Sequence, residues 1–68
     1  MTVVFHVPDM SCQHCVQSIT RAIQAQDASA QVSTDLAQHH VTVSSNQLDA
    51  AALQALITQA GYTPTLLP

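Results

Sequence analysis

Met10-Ser11-Cys12-Gln13-His14-Cys15 is the stretch on which the reading of this chain turns. Before it, Val3, Phe5 and Val7 alternate with Thr2, Val4 and His6, the pattern of a strand with one buried face, and Pro8-Asp9 ends that strand. After it, Val16, Ile19, Thr20 and Ile23 recur at helical spacing, which predicts a helix from about Gln13 to Gln26. Cys12 and Cys15 are the only cysteines, and two residues between them put both thiols on one side of the first helical turn. The unpaired N–H groups and the positive dipole end of a helix start stabilise thiolates. Two such sulfurs can share one soft cation or oxidise to a disulfide. With no third partner nearby they suit a monovalent soft ion of low coordination number, and Cu(I) fits that description.

Working outward, Asp27-Ala28-Ser29-Ala30 breaks the pattern, and Val32, Thr34 and Leu36 then alternate as a second strand. Ala37 to His40 form a short connection, and Val41 to Ser44 read as a third strand, giving a hairpin whose turn lacks an Asn-Gly or Asp-Gly signal. Asp49 is a good N-cap for a helix over Ala50 to Gln59, with Leu48 and Leu53 placed as a hydrophobic staple and Leu53, Leu56, Ile57 and Ala60 as its apolar stripe. Gly61, the only glycine, sits where a left-handed residue stops that helix. Tyr62 to Leu67 is the last candidate strand, and Pro64 confines it to a sheet edge.

The order βαββαβ predicts an α+β, ferredoxin-like domain spanning residues 1–68, with two helices on one face of a four-stranded antiparallel sheet. Right-handed crossovers bring the Met10–Cys15 loop, the Gln38-His39 hairpin and the Gly61-Tyr62 junction to the same end. Tyr62 and His39 are therefore expected near the thiols although distant in sequence.

Composition narrows the function classes. One arginine, Arg21, stands against four aspartates, with no lysine or glutamate, so nothing could neutralise a run of phosphates and nucleic-acid binding is disfavoured. No stretch reads as an export signal or a membrane span, so a cytoplasmic home without membrane insertion is expected. A disulfide closing so short a segment removes little unfolded-state entropy, which makes CxxC a poor staple and points to chemistry instead.

At this point the chain resembles the heavy-metal-associated domains, and among them the small bacterial copper chaperones. The resemblance rests on Met10-x-Cys12-x-x-Cys15 after a strand, Asp35-Leu36 closing the second strand, Val41-Thr42-Val43, and Ala60-Gly61-Tyr62 after the second helix. It implies a Cu(I) carrier in which Cys12 and Cys15 ligate the ion and pass it to the metal-binding domain of a P-type copper-transporting ATPase by ligand exchange. It also implies that Met10 points inward and shapes the loop and that Tyr62 abuts the site. A monomer is expected for the apo form, with a metal-bridged dimer as the alternative once metallated. Zinc-preferring relatives carry aspartate just before the first cysteine, where this chain has Ser11, which favours a monovalent ion. Two departures are Asp9, where many relatives have glycine, and Asp27 to Ala30, where many have Gly-Val.

His14, between the cysteines, reads either as an exposed polar residue or as a modulator of the thiols, a partner contact or an extra ligand in a dimer. His39 and His40 read as turn residues and His6 as part of an exposed strand face. Rival readings are a carrier of mercury, zinc or cadmium on the same scaffold, a regulatory domain cut from a larger transporter, and, from another class, a thiol-disulfide enzyme. The last is weakened by the chain's shortness and by the lack of the aromatic and proline residues that surround a thioredoxin-type CxxC, so the chain is expected not to be an enzyme.

Overall fold

The computed structural model describes residues 2–67. Its elements run β1 (Thr2–His6), α1 (Gln13–Gln26), β2 (Gln31–Asp35), β3 (His40–Ser44), α2 (Ala50–Gln59) and β4 (Thr65–Leu66). The strands form one antiparallel sheet in the order β2-β3-β1-β4, with Phe5 opposite Val41 and Val3 opposite Val43 in the central pair. This is the expected ferredoxin-like arrangement.

The period-two and helical patterns converge on one core. Phe5, Val7, Val41 and Val43 of the sheet side meet Ile19 and Ile23 of α1 and Leu53 and Ile57 of α2, with Met10 and Ala30 closing the two ends. Val16, Leu48 and Tyr62 pack against this cluster while still partly exposed. Burial of these side chains is the main force holding so small a chain together, at about 25 cal/mol per Å² of apolar surface removed from water.

Each helix ends where local chemistry requires. Asp49 Oδ1 accepts the Ala52 N–H at 2.8 Å, which satisfies one of the free donors of α2. At the other end Gly61 adopts φ 102°, its N–H bonds to Thr58 O at 3.0 Å, and the Tyr62 N–H bonds to Ile57 O at 3.3 Å. That pair of bonds is a Schellman cap, and it fixes the direction in which Tyr62 leaves the helix. α1 ends at Asp27, which is only 2% exposed. Its carboxylate accepts the Ser45 hydroxyl at 2.6 Å, and the Ser29 hydroxyl and N–H at 2.7 and 3.1 Å. These bonds hold the Asp27 carboxyl below its ordinary 3.8, the Ser45 hydroxyl contributing most.

Four boundaries differ from the sequence reading. β1 stops at His6, before Val7, and β3 starts at His40, expected in the connecting turn, because His40 pairs with both His6 and Asp35; β4 and β2 are shorter than expected. β4 pairs only through Thr65 and Leu66 instead of starting at Tyr62. The Tyr62 N–H is spent on the helix cap, the Thr63 N–H goes to Asp9, and Pro64 has none, so ladder bonding begins after the proline. β2 stops at Asp35, before Leu36, because Asp35 Oδ1 turns the chain by accepting the N–H groups of Ala37 and Gln38 at 3.0 and 3.3 Å. His39 completes the reversal at φ 59°, a left-handed conformation that the missing Asn-Gly signal did not advertise. Its carbonyl accepts the Val7 N–H at 2.7 Å and ties the hairpin to the end of β1.

Because β1 and β4 are antiparallel, with His6 opposite Thr65 and Leu67 N bonded to Val4 O, β1 starts and β4 finishes away from the end that carries the cysteine loop.

Candidate metal centre

The cysteine loop is held between the end of β1 and the start of α1. Met10 is fully buried, its N–H bonded to Val7 O at 3.0 Å. A long apolar side chain rooted in the core thus anchors an otherwise exposed loop. Ser11 and Cys12 are exposed on the rim. Cys12 is the N-cap of α1: its backbone is extended, its carbonyl accepts the N–H groups of Cys15 and Val16, and its side chain makes no capping bond. A residue type that rarely caps helices therefore leaves its thiol free for other chemistry.

Cys15 lies one turn before Ile19 and is half-buried, and both cysteines are free. Cys12 Sγ and Cys15 Sγ are 3.2 Å apart. That is well beyond a disulfide bond of about 2.05 Å. It is also shorter than the roughly 4.6 Å reached by two sulfurs lying in line on one metal ion, taking metal–thiolate bonds of about 2.3 Å as for zinc. The pair shares a hydrogen bond as it stands, and an ion bridging the two sulfurs in line needs it to open by about 1.4 Å.

Tyr62 is the distant residue that reaches this pair. Its hydroxyl hydrogen-bonds Cys15 and is the largest influence bringing that thiol from 9.0 down to about 7, followed by the Cys12 thiol and the Ser11 backbone N–H, against a smaller opposing effect of burial. The same hydrogen bond raises the Tyr62 phenol above 10.0, helped by burial and by the Cys15 charge. Cys15 thus reaches the thiolate state near neutral pH. The helix start is expected to favour the thiolate; the largest single influence is a phenol more than forty residues away.

The structure brings Cys12, Cys15, Met10, Ser11 and Tyr62 to one end of the molecule, while His14 lies exposed on the first turn of α1. His39 approaches from the hairpin, but it meets the loop backbone: its Nδ1 is 2.8 Å from Met10 O. Asp9, read with Pro8 as the end of the first strand and standing where many relatives have glycine, is also a tie. Its carboxylate accepts the Thr63 N–H at 3.2 Å and the Thr63 hydroxyl at 3.4 Å, joining the cysteine loop to the segment that carries Tyr62. Among the described residues no third histidine, cysteine or acidic side chain joins the two thiols as a metal ligand set, and no helix is long and apolar enough to cross a membrane.

A ferredoxin-like sheet with an exposed two-thiol loop at one end defines a class of small soft-metal-binding domains. The profile of the heavy-metal-associated domain matches residues 4–63, and the chain belongs to that family. Among solved structures it is similar to a gold-binding protein at 34% identity, covering 96% of this chain and 98% of that one with a TM-score of 0.89. It is similar to the copper chaperone Atx1 from Synechocystis at 34% identity, covering 91% of this chain and 97% of that one with a TM-score of 0.87. Atu1203 from Agrobacterium tumefaciens is 44% identical, covering 91% of this chain and 95% of that one with a TM-score of 0.80. A search of curated protein sequences found no match.

Proposed function

We propose that the chain is one metal-carrying unit that binds Cu(I) between Cys12 and Cys15 and hands it to the metal-binding domain of a P-type copper-transporting ATPase. The observation that carries this reading is the free thiol pair, 3.2 Å apart on an exposed rim, with one member ionising at about 7. Two thiolates satisfy a soft monovalent ion and leave it open to attack, whereas a tetrahedral zinc cage would enclose its ion. An incoming thiolate adds to the ion to make a three-sulfur intermediate, one of the original sulfurs then leaves, and no electron changes hands. Similarity to a copper chaperone and to a gold-binding protein supports a soft-metal cargo. The cytoplasm, where thiols stay reduced, is the compartment this chemistry needs.

Met10 acts as the anchor of the loop, Ser11 contributes its backbone N–H to Cys15, and Tyr62 tunes how firmly Cys15 holds the ion. His14 is placed to meet a partner docking on the exposed side of α1, with Gln13, Gln17 and Arg21 beside it. The apo chain is a monomer in this reading, and an ion shared between two copies is the route to a dimer. The test is a competition titration of reduced protein with Cu(I) and Zn(II), with X-ray absorption counting the sulfurs. Two or three sulfurs on copper are expected, with the tight site lost in Cys12→Ser and in Cys15→Ser. Preference for Zn(II), or substantial metal-free thiol-reductase turnover, overturns the proposal.

A further inference from the structure

A histidine cluster lies at the same end of the molecule but is separate from the thiols. His6 and His40 sit directly opposite each other on β1 and β3. Their neighbours Phe5 and Val41 are fully buried against the helices, so strand alternation sends both imidazoles to the face the helices leave open. Their ring centroids are 5.8 Å apart and nearly perpendicular, and the His39 ring stands 6.3 Å from that of His6. All three are half-buried. In the same cross-strand row Asp35 faces His40, but its Oδ1 is engaged in the hairpin turn.

We propose that His6 and His40 form a second metal site, a two-imidazole chelate for a borderline divalent cation of the Zn(II), Ni(II) or Cu(II) kind. Imidazole nitrogen suits these ions, in contrast to the soft cargo suited to thiolates. With metal–nitrogen bonds of about 2.0–2.1 Å, two imidazoles on one ion place their centroids roughly 5–6 Å apart, the spacing seen here. Cross-strand partners have Cβ atoms about 4.5–5.5 Å apart, so the backbone already holds the two side chains within chelating reach. Among the described residues no three metal-binding side chains converge on a point, so water fills the remaining positions. His39 shapes the rim of this site. Met10 O can only accept, so His39 Nδ1 carries the hydrogen of this bond. A ring fixed through one nitrogen to a carbonyl is held in place beside the chelate and links it to the backbone of the cysteine loop.

This inference does not rest on the copper reading and is tested without the thiols. Zn(II) alone is titrated into the full chain carrying Cys12→Ser and Cys15→Ser, with histidine ring resonances followed by NMR. Saturation at one equivalent is expected, with the His6 and His40 rings shifting first and the His14 ring unmoved. His6→Gln and His40→Gln, each checked for native circular dichroism, are expected to weaken binding about tenfold or more, and His14→Gln to leave it unchanged. Absence of saturable binding below about 1 mM Zn(II), binding that survives both glutamine variants, or shifts confined to His14 overturns the assignment.

Discussion

Tyr62→Phe isolates one hydroxyl. The ring that packs against the core is kept, so the fold is expected to survive, and what is lost is the hydrogen bond that leads the causes of the lowered Cys15 thiol. With that thiol at about 7, roughly half of Cys15 is thiolate at neutral pH, against about one part in a hundred for a thiol at the ordinary 9.0. The Cys12 thiol and the Ser11 N–H remain in the variant, so only part of the effect is removed, and the thiolate share at neutral pH is expected to fall about fivefold. The assay is the pH dependence of the Cys15 13Cβ resonance in reduced, metal-free protein. The reciprocal measurement is equally clean: Tyr62 is the only tyrosine and there is no tryptophan, so tyrosinate absorbance reports this phenol alone. In Cys15→Ser it should ionise at lower pH than in the parent protein. An unchanged Cys15 titration in Tyr62→Phe refutes the assignment of the phenol as the main cause. Cu(I) affinity should change little and the transfer rate measurably; a loss of affinity as deep as in the cysteine variants would show that Tyr62 is more than a neighbour.

The linkage to stability has a definite sign. The folded Cys15 thiol ionises below its unfolded counterpart, so its contribution is fully present above 9.0 and is lost as pH falls through about 7. Denaturant midpoints of metal-free protein should therefore rise between those limits, and rise less in Tyr62→Phe. Asp27 acts in the same direction in acid: its depressed carboxyl stabilises the fold above 3.8, so Asp27→Asn should lower the denaturation midpoint at neutral pH and flatten its fall below 3.8. Gly61→Ala meets no atom within 4 Å, leaving only the cost of φ +102° for an L-residue, about 1–2 kcal/mol, or a drop in Tm of about 4–16 °C; a change under about 0.3 kcal/mol would contradict the cap. Met10→Leu preserves core volume, so a loss below about 1.5 kcal/mol with intact Cu(I) binding is expected, whereas loss of a sulfur in X-ray absorption would make Met10 a ligand.

The fold was largely readable because its two periodicities are clean: Phe5, Val7, Val41 and Val43 alternate and Ile19, Ile23, Leu53 and Ile57 recur as helices require, and all eight are fully buried or nearly so. Asp49 and Gly61 carry their cap chemistry in their identities. The thiol pair was equally plain, since spacing alone sets two cysteines on one helical turn. What stayed hidden depends on pairs of residues far apart in the chain. Nothing local to Asp9 names Thr63, nothing in Asp27 names Ser45, and the left-handed His39 is a residue type that only sometimes accepts that conformation. The histidine pair is of the same kind, because its existence follows from strand register, which the hairpin's weak turn signal left loose.

The antiparallel neighbourhood of β1 and β4 has a practical consequence. Both outer ends of these strands point away from the sulfur-bearing pole, so a tether, label or fused partner joined beyond either of them trails behind the molecule. Surface immobilisation through such a tether would present the thiols outward, ready for contact with an approaching acceptor.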